Sequence, residues 1–167
     1  MMEYVTRHSL FRAADEAVKL WSLSSTQYPM DHEPLRDLTT TSVIETISDF
    51  ALNARRAMEL LPANEKFRLA QPRWLWKPSD NGEIVNDLRD ALNRIVHAKK
   101  LNVGFLGVPT ELSVIDGGAL VIPYVKSETD RRAEAYIDPF ALSHAFLYFV
   151  YPKLNALSTH DVSEAAH

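Results

Sequence analysis

Arg89, Asn93 and His97 follow one another at four-residue intervals within the stretch from Glu83 to Leu101, EIVNDLRDALNRIVHAKKL. On a helix that spacing keeps all three on one flank across two turns. Metal-independent RNA cleavage needs such parts: a cation to stabilise charge developing on the phosphate, a group that moves a proton near neutral pH, and an amide to orient them. His97, Arg89 and Asn93 are therefore the candidate catalytic set. The competing interpretation is a solvated helix face, because arginine, asparagine and histidine are ordinary outward residues.

Two other groups could bind a polyanion. Asn53 and Arg56 stack with Asp49 at i, i+4 and i+7 on a second helical segment, and a mere surface network of this type is common and weak. Further on, NEKFRLAQPRWLWKPSDNG interleaves cations with indoles. Arg73, Trp74, Trp76 and Lys77 suit a single-stranded nucleic acid, whose bases stack while its phosphates are neutralised. The indoles would serve equally to pin a long loop onto the core.

Other chemistries lack their residues. The glycines, at 82, 104, 107, 117 and 118, form neither a dinucleotide fingerprint nor a P-loop, and no G-x-S-x-G or H-E-x-x-H occurs. His32 stands between Asp31 and Glu33, but no further ligand lies at matching spacing, so a solvated loop is expected. Cysteine is absent, which removes disulfides and thiolate chemistry. No metal and no cofactor are expected. His144, inside an apolar segment, is expected to be a hydrogen-bonded core residue.

The elements that must position these residues follow from periodicity. Helix is predicted over about 3–23, with Phe11, Ala14, Val18 and Trp21 inward and Leu10 and Ala17 widening the face. The proline-bearing stretch after it reads as loop. The capping-box spacing of Ser42 and Glu45 starts a second helix over about 43–61, burying Ile44, Ile47, Ala51, Ala54, Met58 and Leu61. Asp80 and Glu83 repeat the capping pattern for a third helix over about 83–100, whose apolar side is Ile84, Leu88, Ala91, Leu92 and Ile95. Between about 102 and 138 the period shortens to that of strands, with turns at Asp116–Gly118 and Lys126–Asp130, which predicts an antiparallel meander. Pro123 should mark an edge or a bulge. Asp138 and Pro139 open a fourth helix over about 139–151, apolar nearly all round and halted by Pro152.

The expected fold class is α+β: about four helices packed together, with a small antiparallel meander before the last. At 167 residues and 46% hydrophobic, the chain suits one domain over 1–157 with a disordered polar tail over 158–167. A net charge of -4 argues against a general nucleic-acid-coating or membrane-surface protein and leaves room for a local basic patch. No leader and no membrane-spanning run is apparent, so a cytoplasmic location is expected.

The segment from Ala91 to Ala98, ALNRIVHA, resembles the signature helix of the HEPN superfamily, compact helical domains found among RNase toxins, defence proteins and noncatalytic accessory modules. The likeness covers that helix well and the surrounding helical pattern loosely. His97 matches the family's histidine and Asn93 its polar position. The family's arginine has no match: Leu92, Ala91 and Asp90 occupy its allowed places, and Arg89 is one residue too far. The resemblance implies a homodimer that brings two motifs together over RNA, and the misplaced arginine favours contacting RNA or another polyanion, with metal-independent cleavage left open as the less favoured outcome. The sheet segment would be an insertion on the family's helical plan. The alternative is a noncatalytic interaction or small-ligand-binding module, with a pocket between the tryptophan loop and the sheet.

Overall fold

The computed structural model describes residues 4–70 and 76–164, and it is an α+β arrangement that is mainly helical. Helix α1, Tyr4–Ser25, packs along α2, Glu33–Ala57, which ends in a 3-10 turn at Met58–Leu60 ahead of Pro62. Two stripes on α1 compete for the core, and the smaller one wins. Leu10, Ala13, Ala17 and Leu20 are buried, whereas Phe11 is 45% exposed and Val18 56% exposed. The alanines of that stripe share one apolar cluster with Ala51 and Ala54 of α2, and small residues permit close helix packing that a bulkier stripe would prevent.

Helix α2 begins nine residues before Ser42. His32 is its N-cap, with Nδ1 accepting the Leu35 N–H at 3.0 Å and Pro34 sitting in the first turn. The expected loop therefore supplies a short strand, β1 (Tyr28–Pro29), and then helix, and His32 caps rather than standing in a solvated loop.

The third helix is shorter than its pattern. Asp80 does not cap it, because its carboxylate is engaged by Gly82 N–H, Tyr136 Oη and Lys126 Nζ. Glu83–Ile84 is instead strand β2, and Asp87 caps α3, Leu88–Val96, by accepting the Asp90 N–H at 3.1 Å. Leu88, Ala91, Leu92 and Ile95 are buried as expected, while Ile84 lies on the strand and stays exposed.

The strands form two small sheets rather than one meander. Strands β3 (Lys100–Val103), β6 (Val125–Glu128) and β7 (Ala135–Ile137) run antiparallel in sequence, and β2 joins the far side of β7 in parallel. Strand β5 (Ala119–Val121) lies between β1 and β4 (Leu106–Gly107), both antiparallel to it. The Asp116–Gly118 turn precedes β5, with Gly117 and Gly118 at φ of 88° and 101°. Pro123 marks neither an edge nor a bulge: it falls where the chain leaves the second sheet for the first, dividing ALVIPYV into two strands.

Asp138 caps α4, Pro139–Ala145, with Oδ1 accepting the N–H groups of Phe140 and Ala141. Pro152 does not end the rod. A wide turn over Phe146–Val150 carries the Tyr151 N–H back to Phe146 O, and α5, Tyr151–Glu164, makes helix of residues 158–164, expected to be disordered tail. The widened turn relieves the clash that a proline ring makes with the carbonyl four residues earlier. Leu142, Phe146, Val150 and Leu154 of this rod meet Leu20, Ile47 and Phe50 in one apolar cluster, Phe146 standing edge-on to Phe50 at 5.3 Å. Each such fully buried side chain contributes about 1.5–3 kcal/mol of transfer free energy. No described helix is long and apolar enough to cross a membrane.

Candidate functional site

The C-terminal half of α3 is held against the sheet by a buried arginine. Arg94, 5% exposed, reaches Asp90 Oδ2 at 3.2 Å, Glu83 Oε1 and the carbonyl of Ala133, while Asp90 Oδ1 also receives Arg132 at 2.6 Å. Ser127 Oγ on β6 donates to Arg94 O at 2.9 Å. Burial, and secondarily the Arg132 charge, lowers the Arg94 pKa from its ordinary value. The network fixes the turn after β6 beside the end of α3. Between them lies a cleft of about 450 Å³ lined by Asn93, Arg94, His97 and residues 129–132.

His97 is the C-cap of α3, its N–H returning to Asn93 O at 3.1 Å and its ring exposed. Nε2 lies 3.5 Å from Arg55 Nη1 on α2. Arg55 and Asn93 also line an adjoining depression of about 320 Å³ with Met58, Glu59, Ala63, Arg89 and Leu92. Asn93 is the ridge between the two hollows. An imidazole, an amide and a guanidinium from two helices thus face solvent together, and Arg131 stands on the opposite wall with no hydrogen bond or ion pair among the described residues. Such a set suits a phosphate, which takes several donors and a compensating positive charge.

The sequence-derived residues do not all meet there. Asn93 and His97 do. Arg89 lines the smaller depression, but its guanidinium donates to Glu65 O and Pro62 O, each at 3.0 Å, and to Met58 O at 3.5 Å. It clamps the connection that follows α2. Asn53 donates to Asp49 O at 3.0 Å and lies near Glu16 of α1, a buried carboxyl whose pKa is raised chiefly by burial. Arg56 is exposed and lines neither hollow. Arg73 and Trp74 lie outside the described residues. Trp76 packs on Tyr124 and Tyr136 with ring centroids 4.6 and 5.4 Å away, and Lys77 is exposed beyond that cluster.

Arg55 and Arg131 carry no signal in residue spacing. Arg55 precedes Arg56 in one Arg–Arg pair and Arg131 opens another, and which member of a pair faces a neighbouring helix depends on packing that periodicity does not fix. Among the described residues no group of three or more His, Cys, Asp and Glu side chains could hold a metal ion. Comparison of the chain with protein-family models, with curated proteins and with solved structures yields no match.

Proposed function

We propose that this protein is a HEPN-like cytoplasmic domain that holds single-stranded RNA, or a similar polyanion, in the cleft at the end of α3 without cutting it. The contact that carries this reading is Arg55 Nη1 to His97 Nε2, beside Asn93. Arg55 supplies from α2 the cation that the α3 motif lacks. A homodimer would present two such clefts to one strand.

Binding is favoured over cleavage for two reasons. Arg89 is engaged by three backbone carbonyls, and among the described residues nothing orients the other nitrogen of His97. General acid–base catalysis needs a proton-transfer group held in one geometry. A small-ligand pocket between the tryptophan loop and the sheet has weaker support, because Trp76 itself lies on the tyrosines there.

Titration of labelled single-stranded RNA at about 50 and 200 mM salt tests the reading. Affinity should fall steeply with salt, and the same RNA incubated in chelator should stay intact with both wild type and His97→Ala. Absent or salt-insensitive binding would contradict polyanion capture. Cutting that disappears in the variant would contradict the noncatalytic assignment.

A further inference from the structure

The rod formed by α4 and α5 displays a ladder of rings on its outer side. Phe140, His144 and Tyr148 recur at i, i+4 and i+8, and Trp21 of α1 leans on the same stack. Trp21 and Phe140 are 4.4 Å apart at 47°, and His144 and Tyr148 are 4.4 Å apart at 18°. His144 is therefore a half-buried stacking residue rather than a core one. The wide turn at Phe146–Val150 leaves both Tyr148 and Phe149 exposed, Tyr148 at 61%. An aromatic surface this bare is unusual on a folded chain unless something covers it.

Opposite the rings runs the extended segment 66–70, in which Phe67 and Leu69 point inward and Lys66 and Arg68 outward. Rings and segment enclose a cleft of about 680 Å³. Its described lining carries Lys66, Arg68 and Lys153 against one acid, Glu65, which is paired with Lys153. The cleft is thus locally cationic in a chain of net charge -4. One hydrogen bond ties its wall to the α3 site. Glu65 lines the aromatic cleft, and its carbonyl is held by Arg89, which lines the depression beside Asn93.

We infer that this second cleft is a base-stacking platform for single-stranded RNA, Tyr148 and His144 taking bases while Lys66 and Arg68 neutralise the neighbouring phosphates. Flat rings beside Lys66 and Arg68, which make no ion pair among the described residues, fit a strand that offers a π-face and a charge at every nucleotide. The inference rests on the polyanion reading and adds to it: the α3 cleft grips phosphate, whereas the aromatic cleft requires bases.

Fluorescence anisotropy with a labelled adenine dodecamer and with an abasic ribose-phosphate chain of equal length separates the two. Wild type should prefer the adenine strand about tenfold, and Tyr148→Ala should remove most of that preference while leaving abasic binding unchanged. Tyr148 is exposed, so the variant should fold, which circular dichroism checks. Lys66→Glu with Arg68→Glu should weaken both ligands. Equal affinity of wild type for the two strands, or an unchanged preference in Tyr148→Ala, would overturn the platform while leaving phosphate capture intact. Loss of all binding to both strands in wild type would overturn both readings. Concentration-dependent self-association abolished by Tyr148→Ala, with base preference unchanged, would assign the rings to a protein contact instead and also overturn the platform.

Discussion

Two regions of the molecule both hold cationic side chains and use them in opposite ways. At the corner formed by Trp76, Asp80, Lys126, Glu134 and Tyr136, each charge meets a counter-charge. Lys126 lies 2.8 Å from Glu134 and 3.0 Å from Asp80, and Asp80 also accepts from Tyr136 Oη at 2.8 Å. Trp76 covers the tyrosines, and Gly104 and Gly82 exist as glycines there because a Cβ would fall 2.3 Å from the Tyr124 ring and 2.5 Å from the Tyr136 ring. At the end of α3, by contrast, Arg55 meets only a histidine and Arg131 meets no partner among the described residues. The difference separates cations that hold the fold from cations with no acidic partner among the described residues, which the proposed polyanion would engage. Arg89 and Arg94 belong to the first class, Arg55 and Arg131 to the second.

Substitutions should break this division in a definite order. Arg94→Ala has the largest expected effect: it leaves Asp90 and Glu83 without their shared cation and removes the wall of the cleft, costing about 2–3 kcal/mol, the partners' partial exposure holding it below the fully buried case. Denaturant unfolding measures it. Arg89→Ala should follow at about 1–2 kcal/mol by unbinding three carbonyls. Tyr136→Phe should lower stability by about 1 kcal/mol and leave RNA binding unchanged.

The closed corner also has a pH signature. The Gly82 N–H, then the Tyr136 hydroxyl and Lys126, hold Asp80 well below the usual carboxylate range. An acid whose folded pKa is depressed contributes stability that is complete above its unfolded pKa and is lost as pH falls from there toward the folded value. Melting temperature should therefore drop on acidification below the ordinary aspartate pKa, and Tyr136→Phe should make that drop shallower. Acid melts of the two proteins compare them directly.

The same division explains what the sequence disclosed. Asp138–Pro139 was legible as a helix start because cap and ring act within one turn, and the buried side of α3 was legible because Leu88, Ala91, Leu92 and Ile95 leave no competing stripe. On α1 periodicity offered two stripes, and only packing in the shared cluster with α2 decides between them. Ser42 and Asp80 both carry capping spacing, yet His32 and Asp87 cap, since Asp80 is drawn to a tyrosine and a lysine remote in sequence. Pro152 marked a wide turn rather than an end. At the site, His97 and Asn93 stood out from one helix alone, while Arg55 and Arg131 come from other segments. Spacing within α3 could not point to them.

Paired salt titrations of single-stranded RNA binding by Arg55→Ala and Arg89→Ala, each with its melting curve, test the central claim most directly. Arg55→Ala should melt like wild type, bind several-fold more weakly, and lower the slope of log affinity against log salt by about 0.7, as loss of one phosphate contact on a single strand requires. Arg89→Ala should melt earlier and, where still folded, keep the wild-type slope. An unchanged slope in Arg55→Ala together with a reduced one in Arg89→Ala would contradict the account, because the cation left for the ligand would then be the one the fold holds.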